Sequence, residues 1–158
     1  MSDPQRAAMP TWECFELVEA CLVGRLCFLD GETPIAYPVS FKVHRADDVS
    51  YLVMRTRPES LMAKHVGPAS FEVDEIDVQS RTAWSVLFRG VVRPSHETDL
   101  LPVPDPWVAG GQDVWLLLEI AAISGRRFVA RDSQDGFSVE WQLDTTDQGP
   151  GSAGPGRL

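Results

Sequence analysis

The chain has few cations, no long apolar run and too few cysteines to staple it. Lysine and arginine together number 14 against 23 acidic residues, a net charge of −9. Nucleic-acid partners demand a basic stripe, so that class is excluded. A small anionic ligand needs only two or three local donors and stays open. The longest apolar candidate, Val114 to Leu118, is cut by Glu119, far short of the ~20 residues of a spanning helix. No membrane partner is expected. Residues 1–10 lack the apolar centre of a secretion signal. Cys14, Cys21 and Cys27 cannot pair completely and lack paired metal-ligand spacing, so reduced thiols and a cytoplasmic location are expected. His44, His65 and His96 form no ligand pair, and neither a GxSxG elbow, a phosphate-cradling Walker sequence nor a GxGxxG turn occurs. The acidic group Asp74, Glu75 and Asp77 has no histidine near it and reads as a solvated turn.

What remains is ordinary globular composition, 44% hydrophobic and 23% charged, in a length suited to one domain. Residues 1–10 read as a flexible arm, 11–143 as the domain and 144–158, rich in Gly, Pro, Ser and Asp, as a disordered tail. Thr11 is a plausible N-cap, and Trp12, Phe15, Val18 and Leu22 recur at helical spacing, predicting an amphipathic helix that ends near Gly24. The period then becomes twofold. Strands are predicted over Arg25–Leu29, Ile35–Val43 (with Pro38 marking an edge or bulge) and Val49–Arg55. Pro58 to Val66 reads as a short helix closed by Gly67-Pro68. A fourth strand carries Phe71 and Val73, and a fifth turns Trp84, Val86, Phe88 and Val92 to one side. A Pro-rich loop spans Pro94 to Gly111. Val114 to Ile123, apolar on both faces, suits a buried strand or a dimer interface, and Arg126–Ala130 with Phe137–Leu143 a final hairpin around Asp135-Gly136. Six or seven strands, two short helices and no strand–helix alternation make an all-β closed or sandwich-like fold.

One segment has chemical potential: VMRTRPESLMAKHVGPASFEVDEID, from Val53 onward. It places Arg55, Thr56 and Ser60 ahead of a helix containing Lys64, and hydroxyls, guanidinium and helix N-terminal amides are what a phosphate monoester requires. The same residues also describe an ordinary capped helix with an exposed arginine.

This segment, together with ECFELVEACLVGRLCFLDGETPIAYPVSF, TAWSVLFRGVV and SGRR in order, resembles the pyridoxamine 5′-phosphate oxidase-like FMN-binding split-barrel family, in its actinobacterial, nitroimidazole-reductase-like branch. The resemblance covers about residues 13 to 127. It implies a six-stranded split β-barrel with two flanking helices, a twofold homodimer, and FMN or a deazaflavin in a groove between subunits, serving an oxidoreductase with a small-molecule substrate. Matched residue by residue, Val39 and Ser40 lie along the isoalloxazine ring, Arg55, Thr56 and Ser60 take the phosphate, and Trp84, Ser85 and Val86 close the groove from the second subunit. Trp107 resembles the loop aromatic covering the ring, and Arg126 belongs to the late SGRR segment. The chain departs from the family in the phosphate loop, where Gly, then Ser or Thr, then Lys becomes Glu59, Ser60, Leu61. Lys64, one helical turn along, is the candidate replacement. The departure keeps open a second reading, a non-catalytic dimeric barrel with an eroded phosphate site and another ligand or no cofactor.

Overall fold

The computed structural model describes residues 8–46, 48–96, 101–105 and 114–129. Its elements are α1 (Thr11–Glu19), β1 (Val23–Asp30), β2 (Thr33–Arg45), β3 (Ser50–Thr56), α2 (Leu61–Lys64), β4 (Gly67–Asp77), β5 (Thr82–Ser95) and β6 (Val114–Val129). All strand pairs are antiparallel and close a barrel in the order β1-β2-β3-β6-β5-β4. The expected six-stranded all-β barrel with two short helices is what forms. Among the described residues, no helix is long and apolar enough to cross a membrane, and no cluster of three metal-ligating side chains occurs.

The twofold periods fill the barrel. Leu26 and Phe28, Val39 and Phe41, Leu52 and Met54, Phe71 and Val73, Trp84, Val86 and Phe88, and Leu116 and Leu118 turn inward and share one core. Phe41 meets Phe71 edge-on, with ring centroids 4.9 Å apart, a preferred aromatic geometry. α1 lays Cys14, Phe15 and Val18 on this core. Gly125 of β6 makes room for it, because an added Cβ would lie 2.4 Å from the Cys14 sulfur. The end of the N-terminal arm is pinned there as well: Met9 N–H donates to the Gly125 carbonyl at 3.0 Å and Ala8 bridges to Arg126.

Several local expectations are corrected. Thr11 is the first helical residue and not the cap. Pro10 holds the extended cap position and no side chain caps it. The helix ends at Glu19 and not near Gly24, because Leu22 already accepts the Phe41 N–H at 3.1 Å and so joins the sheet. Its inner face is consequently Cys14, Phe15 and Val18, leaving Trp12 63% and Leu22 42% exposed. The expected helix over 58–66 shrinks to the single turn of α2. Pro58 occupies the second position of a β-turn, closed by the Ser60 N–H on the Arg57 carbonyl at 3.1 Å, and His65 is already extended. Gly67-Pro68 begins β4 instead of closing a helix. Pro94 is still strand, paired with Leu116, so the loop starts later than expected. Asp74 is no turn residue: it lies in β4 and, with Glu72, binds Arg25. Arg126 to Val129 forms no new hairpin but continues β6 against Thr82–Ser85. Residues 137–143 and the tail from 144 lie outside the described residues.

β2 changes partner halfway along. Arg45 to Phe41 pair with β3, while Ser40 to Thr33 pair with β1 alone. The phase follows from the Phe41 N–H on the Leu22 carbonyl: odd-numbered residues of β2 direct their main-chain groups at β1 and even-numbered ones away from it. Pro34 and Pro38 are both even. They remove two of the N–H donors this unpaired edge would otherwise show, the usual protection of an edge strand.

Candidate functional site

The parting of β2 from β3 opens a seam in the barrel wall. Pairing stops at Phe41–Met54, so Ser40 and Arg55 stand opposite each other in an extended register with no ladder between them. The Lys42–Val53 pair fixes the phase on β3, and the main-chain groups of Arg55, like those of Ser40, face the seam. Their side chains point outward, since Val39, Phe41 and Met54 are the inward neighbours. Four of the candidate residues therefore converge here: Val39 and Ser40 on one lip, Arg55 and Thr56 on the other.

Thr56 is buried and its hydroxyl oxygen lies 2.8 Å from that of Ser60. Ser60 caps α2, its Oγ accepting the Ala63 N–H at 3.1 Å. Two hydroxyls carry two protons, and their mutual bond uses one. Whichever donates, one O–H proton remains for an acceptor placed in the seam. Arg55 is half-buried, with its guanidinium carbon 5.0 Å from the centre of the Trp115 ring, a cation–π distance. Its Nε is sealed from solvent without a hydrogen-bond partner. A buried guanidinium N–H left unmade costs about 1–3 kcal/mol or more, and an anion in the seam would satisfy it. Glu59 is exposed beside this cradle, Leu61 is partly exposed, and Lys64 is exposed in the last turn of α2.

The other candidates lie elsewhere. Trp84 and Val86 are core residues of β5, and Ser85 between them pairs with Asp74 on one side and Arg126 on the other. Arg55 pairs with Trp115 near the start of β6, and Ser85 with Arg126 near its end. Round the other side of the barrel the row Pro38, Arg25, Glu72 and Leu87 runs across β2, β1, β4 and β5, so Ser85 stands three strand spacings, about 14 Å, from Ser40. Within one chain, β1 and β4 lie between Ser40 and Ser85. Trp107 lies outside the described residues. A depression of about 400 Å³, lined by Cys27, Phe28, Pro34, Ile35, Arg89 and Gly90 among others, contains none of the candidates. All three cysteines are free thiols, each pushed above its ordinary range chiefly by burial, which disfavours the nucleophilic thiolate.

Reading the sequence alone missed the seam itself and Trp115, the ring against which Arg55 packs. The signal for the seam was Pro38 in an otherwise strong strand. Trp115 gave none beyond its place in an apolar run.

Three solved structures share this fold over most of the chain. An FAD-binding protein from Mycobacterium smegmatis is 24% identical, with a TM-score of 0.60, and the match covers 78% of this chain and 98% of that one. A conserved protein of unknown function from Corynebacterium diphtheriae is 21% identical over 79% and 99%, with a TM-score of 0.67. An FAD-binding protein from Mesorhizobium loti is 21% identical over 77% and 97%, with a TM-score of 0.57. No curated protein matches the sequence. The family model for pyridoxamine 5′-phosphate oxidase matches residues 10–127, which span α1 and nearly the whole barrel. The chain belongs to the pyridoxamine 5′-phosphate oxidase family.

Proposed function

We propose that the chain is a flavin-dependent oxidoreductase that works as a cytoplasmic homodimer and binds FMN at the β2–β3 seam. The carrying observations are the buried Nε of Arg55, without a hydrogen-bond partner, and the hydroxyl pair that the next residue, Thr56, makes with Ser60. A phosphate there takes a charge-assisted bond from the guanidinium and the spare O–H proton. The unpaired main-chain groups of Ser40 and Arg55 are at hand for the polar edge of a planar ring, while the Val39 side chain stays in the core. The bound flavin supplies hydride transfer to a small substrate, while the protein contributes placement and exclusion of water. The flavin-binding relatives agree with this reading, and the three free thiols fit a reducing compartment.

The dimer rests on the family resemblance, with Ser85 and Arg126 on strands removed from the β2 lip of the seam. A twofold partner would bring its own β5–β6 segment around Ser85 and Arg126 to the seam. Sedimentation at micromolar concentration is expected to give twice the mass of the chain, 17.5 kDa. A monomer that still binds flavin would defeat the composite site.

Titration of the apo-protein with FMN, followed by flavin fluorescence, tests the cofactor, and the same titration with a deazaflavin separates the two. Leu61→Lys is expected to tighten FMN binding by about tenfold, since it restores a cation beside the phosphate at the position where the family carries one. Lys64, one turn from Ser60, is the native stand-in. Glu59 and Leu61 favour the second reading, a barrel that has lost its phosphate grip. Its signature is no FMN binding by the native chain and recovery in Leu61→Lys.

A further inference from the structure

The barrel wall parts at a second place, between β1 and β4. Their pairing ends at Cys27–Ser70, although both strands run on. The cause is Pro68. The hairpin that pairs Asp30 with Thr33 sets the main-chain groups of even-numbered β1 residues toward β2 and of odd-numbered ones toward β4. Continued by one step, the register brings Leu29 opposite Pro68. A proline has no N–H for the Leu29 carbonyl, and the Pro68 carbonyl accepts a hydrogen bond from His65 Nε2 at 3.1 Å. The His65 ring is fixed there by stacking on Phe28, with centroids 4.5 Å apart. The main-chain N–H and C=O of Leu29 therefore face a gap in the sheet and no ladder partner in β4.

The depression of about 400 Å³ lies at this gap, and its volume is in the range of small-molecule sites. Phe28 and Ile35 line it from the core side, and Leu29, Pro34 and Pro68 from the outer side. Its polar edge is one cross-strand row, Cys27, Ser70 and Arg89. These three point outward, because Leu26, Phe71 and Phe88 beside them face the core. Arg89 is exposed and has no ion pair or hydrogen bond among the described residues. Glu72, diagonal to it on β4, is held by Arg25 at 2.7 Å. In a chain of net charge −9, a cation left free at the mouth of an apolar depression is a grip for one negative charge. From Arg89 on β5 to Pro34 on β2 is three strand spacings, about 14 Å, enough for a hydrocarbon chain behind that charge.

We propose that this depression binds a medium-chain monocarboxylate, its tail against Phe28, Ile35 and Pro34 and its carboxylate on the Arg89 guanidinium. The Ser70 hydroxyl and the Leu29 N–H are further donors at the same opening. The site is separate from the β2–β3 seam, since Ile35 lies five residues, about 17 Å, along β2 from Ser40. It stands or falls independently of the flavin reading.

Calorimetric titration of the full-length chain with octanoate, 1-octanol and acetate is the test. Octanoate is expected to bind saturably, at least tenfold more tightly than either of the others, because octanol keeps the tail without the charge and acetate the charge without the tail. Arg89→Gln should cost octanoate at least tenfold in affinity with an unchanged melting temperature, since the side chain has no partner to lose. Arg89→Lys, which keeps the charge, should stay within threefold of native. Leu29→Ser, at an exposed position on the apolar wall, should lose at least threefold. Lys42→Gln removes the same charge eight residues along β2 from Pro34, where Lys42 pairs with Val53, and should change nothing. The proposal is overturned if the native chain shows no saturable octanoate binding, or if octanol or acetate binds as tightly. It is equally overturned if Arg89→Gln binds octanoate within twofold of native, or if Lys42→Gln loses as much as Arg89→Gln.

Discussion

Arg55→Ala is expected to weaken FMN binding by about ten- to a hundredfold, the equivalent of one charged hydrogen bond of about 1.5–3 kcal/mol. The reasoning is geometric. The guanidinium is fixed against Trp115 on one side and has a sealed N–H with no partner on the other. It is already in place when the anion arrives, so little side-chain entropy is lost on binding. Arg55→Lys should fall between native and alanine, because a lysine keeps the charge but lacks both the planar fork and the stacking face. Thermal stability should fall little in either variant, since no described ion pair involves Arg55. An alanine variant that binds FMN within twofold of native would remove the seam from consideration as the phosphate site.

Gly90→Ala is expected to cost about 3 kcal/mol or more and to leave much of the protein insoluble. Gly90 follows the register shift at Arg89/Gly90 where β5 crosses β6. A Cβ there would lie 1.8 Å from the Glu119 carbonyl oxygen and 2.9 Å from its carbonyl carbon. Those are backbone atoms inside a ladder, so relief requires moving a strand instead of a rotamer, which belongs to the rare severe class of single substitutions. Gly31→Ala makes the contrast. Gly31 opens the β1–β2 hairpin at φ +62 with open space around it, so only the left-handed backbone is penalised, by about 1–2 kcal/mol. Urea denaturation of both variants checks the order. Equal midpoints would mean that the β5–β6 crossing yields more easily than its geometry implies.

The barrel was legible because its periods are clean. Trp84, Val86, Phe88 and Val92 fall on one face of the strand, with Gly90 between the last two, and all four are buried. Leu116 to Leu118 were legible as a strand apolar on both faces, and the structure explains why: Leu116 and Leu118 serve the core, while Leu117 is buried beside Val53 on the outer face. The boundaries were less legible, since each is set by a partner remote in sequence. α1 stops because Leu22 bonds Phe41, and α2 is one turn because Pro58 closes a β-turn. The candidate residues were legible through family resemblance, not through their chemistry. Nothing local in the sequence says that Arg55 stands opposite Ser40, since that depends on where β2 stops pairing with β3.

β6 is the last strand of the barrel and pairs with both β3 and β5. During synthesis, β1 to β5 therefore leave the ribosome with two open edges and no means of closing. The Thr56–Val114 contact spans 58 residues of chain, and pairings of such long range are slow to find because loop closure precedes their reward. Until residue 129 has emerged, the edges of β3 and β5 remain available to any other strand in the vicinity. The hazard to this protein in the cell is thus concentrated in the seconds before its final strand arrives.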